Sequence, residues 1–170
     1  MKTLFALLMF GQIASAQLPD LKMASGTILV AAPTAQMGPS NQGIWFFKPA
    51  TKSFSLQLPV LPKDQVYEAW LVNEMTGQKI SMGIFRSMGG VDSDGAGPFA
   101  GPLKLDFPPA PGSDFVTLCE DIADGAHKVA ITVEPYPDSD PAPSDIVVLA
   151  VSIPKDAHVG SELTLINVAQ

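Results

Sequence analysis

Cysteine is almost missing: Cys119 is the single one in 170 residues. One thiol excludes a disulfide framework within the chain, thiolate zinc clusters and Cys-x-x-Cys redox chemistry. The fold must therefore rest on its apolar core, and Cys119, inside the run FVTLCE, fits a small buried side chain. Positive charge is scarce as well. Ten Lys and Arg face seventeen Asp and Glu, for a net charge of −7. That balance argues against nucleic acid or an anionic membrane surface as partner, because both need a cationic face. Histidine occurs twice, at His127 and His158, and there is no Gly-x-Ser-x-Gly elbow, which leaves little for nucleophilic catalysis. No Gly-x-Gly-x-x-Gly or P-loop follows a strand, so nucleotide cofactors have no cradle.

Long apolar runs are also lacking, with one short exception at the start. MKTLFALLMFGQIASAQ places Lys2 before the apolar stretch Leu4–Phe10 and small residues at Ala14-Ser15-Ala16. This is the pattern of a cleaved signal peptide, and its apolar part is too short for the ~20 residues that span a bilayer. The expected organisation is a signal peptide over 1–16, cleaved near Ala16/Gln17, and a flexible arm over 17–26. A single domain follows over 27–170, secreted or periplasmic and without membrane insertion.

What the sequence has in quantity is proline, 16 residues, and glycine, 14 residues, which leave no convincing helical window. At most a turn of helix is expected near Ala110–Ser113 or Glu120–Gly125. Between the breaks lie short Val-, Ile-, Phe- and Thr-rich runs, recurring about every ten residues. Predicted strands are Thr27–Ala32, Gly43–Lys48, Ser53–Leu58, Val66–Asn73, Lys79–Phe85, Leu103–Phe107, Phe115–Cys119, Lys128–Glu134, Ile146–Ile153 and Leu163–Val168. The expected fold class is all-β, an antiparallel β-sandwich of two packed sheets. SFSLQL alternates, with Phe54, Leu56 and Leu58 inward and Ser53, Ser55 and Gln57 toward water. VYEAWLV and IVVLAVSI are apolar on both faces, as central strands are. Tyr67 and Trp70, three apart, must face opposite sides of their strand. Gly83 suits a close approach or a bulge.

The order of several motifs carries a resemblance. LPVLP (Leu58–Pro62) precedes Tyr67 and Trp70, then Gly83 and Phe85, then DSDG (Asp92–Gly95). TVEP (Thr132–Pro135) and a loop with Ser139, Pro141 and Pro143 close the series. Over 43–150 the chain resembles the extracytoplasmic C-terminal domain of anti-sigma-K factors. The resemblance implies a sensing or interaction role outside the membrane. It also implies differences: a signal peptide where those factors have a sigma-binding domain and a transmembrane helix, an insertion over 98–114 and an extension over 152–170. Any added site is expected in the insertion or the extension.

The residues themselves offer three chemistries. As a binding surface, the candidates are Glu134, Tyr136, Asp138, Asp140 and Asp145 around the proline-rich loop, with Glu68 and Trp70 on the Tyr-x-x-Trp strand. As a calcium site, the ligands would be Asp92, Asp94, Glu134, Asp138 and Asp140, since hard cations collect carboxylate oxygens. A plain solvated turn accounts for the same acidic residues without a metal. As a hydrolase, a Cys119–His127 pair is the sole candidate. Methionines without a His-x-Met or Met-x-x-Met cluster do not make a copper site. The expectation is a non-catalytic binding or sensing module of the cell envelope without a cofactor. Its partner would be a protein, peptide or small ligand. A divalent-cation module is the alternative, with an unrecognised hydrolase below it.

Overall fold

A computed structural model describes residues 17–31, 43–48, 53–85, 121–138 and 140–169. Ten strands follow the β-branched and aromatic runs: β1 (Ser25–Ala31), β2 (Gly43–Trp45), β3 (Phe47–Lys48), β4 (Ser53–Phe54) and β5 (Leu56–Gln57), then β6 (Gln65–Asn73), β7 (Lys79–Phe85), β8 (His127–Pro135), β9 (Val147–Ser152) and β10 (Glu162–Asn167). A 3-10 turn at Leu21–Met23 is the only helical element among the described residues. Asp121–Ala126 makes bends, held by Asp121 and Asp124 carboxylates that accept the Ala123 and Ala126 N–H groups. The expected strands Leu103–Phe107 and Phe115–Cys119 and the DSDG turn lie outside the described residues.

The backbone of the molecule is the β6–β8 pair, antiparallel and in register from Gln65↔Pro135 to Asn73↔His127. Residues directly opposite in such a pair share a face. Tyr67, Ala69 and Leu71 meet Val133, Ile131 and Val129 on the core face. Each large side chain buried there contributes about 1.5–3 kcal/mol. The Tyr67 hydroxyl, at the end of this face, donates to the Pro59 carbonyl at 2.7 Å and so ties LPVLP to the core. Burial pushes the Tyr67 phenol well above its ordinary pKa, so it stays a donor. Tyr67 and Trp70 lie on opposite faces, as their spacing requires.

The expected division into two packed sheets is not what the described strands show. They form one antiparallel sheet in the order β2-β1-β10-β9-β8-β6-β7, with β5 also on β1, and a separate β3-β4 pair. The sheet curls into a half-barrel. The cause lies in β10. Its first part, Glu162–Leu165, pairs with β1, and Ile166 and Asn167 then pair with β9. One strand thus passes from one group of strands to the other and joins them into one sheet among the described residues. The extension over 152–170, expected as a place for an added site, supplies this bridging strand.

Two further expectations change. Residues 17–26 are docked, not a loose arm: Leu21 and Ala24 are buried, and β1 already begins at Ser25. The Asn167 amide donates to the Leu21 and Ala24 carbonyls at 3.0 and 2.8 Å. Gly26 lets β5 lie close on β1, because a Cβ there would sit 2.5 Å from the Leu56 side chain. Ser55 is buried, not wet. Its hydroxyl donates to the Thr27 carbonyl at 2.6 Å, and the SFSLQL run breaks there between β4 and β5.

Asn167→Ala removes both bonds to the turn, and each is worth about 1 kcal/mol net. Urea unfolding should show a loss of about 1–3 kcal/mol, with faster amide exchange around Ala24. Unchanged exchange at that turn would contradict the docking.

Candidate functional site

The second face of the β6–β8 pair holds Val66, Glu68 and Trp70 opposite Glu134, Thr132 and Ala130. All six are buried, including both carboxylates. A carboxylate out of water needs donors, since an unpaired buried charge costs several kcal/mol. Here the donors come mostly from neutral groups. The Thr132 hydroxyl accepts from the Trp70 indole N–H at 2.9 Å and donates to Glu134 Oε1. The Ser144 backbone N–H reaches both Glu134 oxygens, at 2.9 and 3.2 Å. On β7 the Ser81 hydroxyl accepts from the Gly83 N–H at 3.1 Å and donates to Glu68. That geometry needs the bulge expected at Gly83. The register slips between Glu68 and Trp70, and Gly83 takes a φ of 104°.

Glu134 therefore works as the pin of the proline-rich loop. Ser144, which it holds by the main chain, also donates its hydroxyl to the Val133 carbonyl at 2.7 Å. The same hydroxyl accepts from the Ile146 N–H at 3.2 Å, and the Val133 N–H reaches the Ile146 carbonyl at 3.0 Å. The other acidic residues are spread along the loop. Asp138 accepts the Asp140 N–H at 2.9 Å, and Asp140 the Ala142 N–H at 3.0 Å, as Asx turns do. Asp140 and Asp145 are exposed. Tyr136, 43% exposed, is held by its main chain to the Asp64 carbonyl at 2.8 Å.

The sequence thus names residues that the fold separates. Glu68, Trp70 and Glu134 join one buried network, whereas Tyr136, Asp138, Asp140 and Asp145 sit on the loop. Glu134, one of the five ligands of the calcium alternative, accepts hydrogen bonds from Thr132 and Ser144. Among the described residues no three His, Cys, Asp or Glu side chains form a group that could hold a metal. Asp92, Asp94, the 98–114 insertion and Cys119 lie outside those residues. Thr132, Ser81 and Ser144 were not legible as partners. Thr132 and Glu134, two apart near the end of β8, were the one available sign.

His127 occupies a second polar cluster, at the opposite end of β8. Asn73 Oδ1 accepts the Met75 and Thr76 N–H groups, both at 3.0 Å, which turns its amide nitrogen toward His127 Nε2 at 3.3 Å. Nε2 must then accept, so the proton sits on Nδ1 and is donated to Asp124 at 2.9 Å. Both ring nitrogens are hydrogen-bonded within this cluster, while Cys119, the other half of the expected Cys119–His127 pair, lies outside the described residues. Lys128 and Glu74 pair beside it at 2.7 Å on the surface.

Glu134→Ala leaves the Ser144 N–H without its acceptor and should cost about 2 kcal/mol. Amide exchange at Ser144 and Ile146 should accelerate, with Glu134→Gln recovering much of the protection. Equal protection in the alanine variant would show that the loop is held by other means. A second prediction concerns pH. Partial burial raises the pKa of the Asp124 carboxyl, but the Ala126 N–H, the His127 ring and its own N–H lower it further, to below the ordinary value. Its contribution to stability is therefore complete above the unfolded carboxyl value of about 4 and is lost as pH falls through the depressed folded value. Asp124→Asn should flatten this acid-side loss in denaturant titrations run between about pH 2 and pH 6. An identical slope in both proteins would remove Asp124 from the acid response.

Comparison with known proteins extends the motif order across most of the chain. Residues 3–147 match the family described as "Anti-sigma-K factor rskA, C-terminal". No curated protein and no solved structure matches. The matched stretch begins well before Gly43 and ends at Val147, the first residue of β9. It includes β6, β8, the buried glutamates and the proline-rich loop, while β10 lies beyond it. With the greater part of the sequence matched, and with the Tyr-x-x-Trp strand and the Thr-x-Glu-Pro strand end paired at its centre, the chain belongs to the family of anti-sigma-K factor C-terminal domains.

Proposed function

We infer that the chain acts as a non-catalytic binding or sensing module at the cell envelope, exported by its N-terminal segment and cleaved near Ala16/Gln17. Membership of a regulatory family carries this reading. The site supports it: the buried polar groups of the sheet hold a loop in place, and the loop presents Tyr136, Asp140 and Asp145 to solvent. A rigid scaffold with an exposed, fixed loop is how interaction modules commonly place their contact residues. The partner is a protein, peptide or small ligand outside the cytoplasm. Among the described residues no helix is long and apolar enough to cross a membrane.

The test is the fate of the N-terminus. The full chain, produced in a bacterial host and fractionated, should be recovered from periplasm or medium with Gln17 as its first residue. Uncut protein in the cytoplasm would overturn the reading. Calcium or EDTA should leave the melting temperature of the same material unchanged. A rise of several degrees with calcium, abolished in Asp138→Ala/Asp140→Ala, would transfer the function to the cation-binding alternative, because a ligand that binds the native state alone stabilises it.

A further inference from the structure

Beside the proline-rich loop lies a groove of about 570 Å³, lined by Leu18, Leu21, Ile146, Val147 and Val168, with Asp145 among the lining residues. That volume falls within the ~300–1,000 Å³ of ligand clefts. Ile146 and Val168 are 40% and 42% exposed, although both are apolar. The walls are fixed before anything binds. Ser144 and Val133 hold the main chain of Ile146, and Asn167 holds the turn that carries Leu21. A preformed cleft avoids the ordering cost that weakens flexible binders.

Charge indicates the occupant. Asp145 is exposed, and no group among the described residues hydrogen-bonds or ion-pairs with its carboxylate. Between Lys128 and Lys155 the sequence contains no Lys or Arg, while Asp138, Asp140 and Asp145 all fall there. On the facing turn Asp20 and Lys22 offset each other. An anionic lipid surface would be repelled, and a second copy of this acidic chain would bring like charges together.

We propose that this groove docks a cationic peptide segment, its apolar side chains seated between Leu21, Ile146 and Val168 and a flanking Lys or Arg paired with Asp145. The proposal rests on the binding-module reading and gives it a partner class. The pair with Asp145 sits at the wet rim, so it sets specificity and salt dependence, while the apolar contacts supply most of the affinity.

The experiment uses the full chain and a fluorescein-labelled hexapeptide of two leucines flanked by lysines, read by fluorescence anisotropy. Binding should saturate and weaken as salt shortens the Debye length. Peptides with glutamate for lysine, or serine for leucine, should bind at least about tenfold more weakly, a step of ~1.4 kcal/mol. Asp145→Asn should weaken binding about two- to fivefold, Val168→Glu and Ile146→Ser should each remove most of it, and Asp156→Asn should change nothing. Asp145→Lys should shift preference toward the glutamate peptide. Failure of the lysine peptide to bind, equal binding of the glutamate peptide, or an equal loss in Asp156→Asn would overturn the proposal. So would a dimer in sedimentation that Val168→Glu dissolves, which would assign the groove to a second copy. An exported chain that ignores the lysine peptide loses the groove inference alone. A chain left uncut in the cytoplasm loses the envelope reading whatever the peptide does.

Discussion

The register between β6 and β8 is the constraint on which the rest depends. Side chains alternate along a strand, so a slip of one residue would exchange its two faces. In the observed register Tyr67, Ala69 and Leu71 meet Val133, Ile131 and Val129 in the core. The same register sets Glu68 against Thr132 and places Trp70 within reach of the Thr132 hydroxyl. A slipped pairing would drive two carboxylates into the apolar interior. The polar network on the second face thus penalises the wrong register as well as supporting the right one.

From that pair the loop follows. Glu134 ends the buried part of β8, and its carboxylate accepts from Ser144 across the proline-rich excursion. Prolines restrict the chain between these residues, and the Asp138 and Asp140 side chains satisfy local N–H groups that no sheet partner can reach. A buried carboxylate is a costly way to hold a loop. It is also a selective one, because a loop that fails to deliver its N–H leaves that charge short of donors.

Much of the fold was legible because its signals are local. Lys79–Phe85 coincides with β7, and Val66–Asn73 and Lys128–Glu134 with β6 and β8 to within a residue at either end. The opposite faces of Tyr67 and Trp70 and the bulge at Gly83 follow from alternation and from a glycine's freedom. The errors are non-local. Ser55 reads as a solvent residue until the Thr27 carbonyl, far away in sequence, is placed beside it. Residues 17–26 read as an arm until Asn167 supplies their partner. The described residues do not confirm two sheets, and no periodicity tells that β10 changes neighbours midway. Glu134 was visible as an anomaly at a strand end, but its role required the position of Ser144.

The bridging role of β10 bears on when the molecule can fold. β1 forms its antiparallel ladder with residues near the far end of the sequence, Gly26 with Leu165 and Leu29 with Glu162. Until those residues have been synthesised, β1 and β9 lack the strand that lies between them, and the half-barrel stays open. Contacts so distant in sequence are slow to form, because the closure entropy precedes the reward. Until then β1 is left unpaired along that edge, and the strands made earlier must keep their register without it.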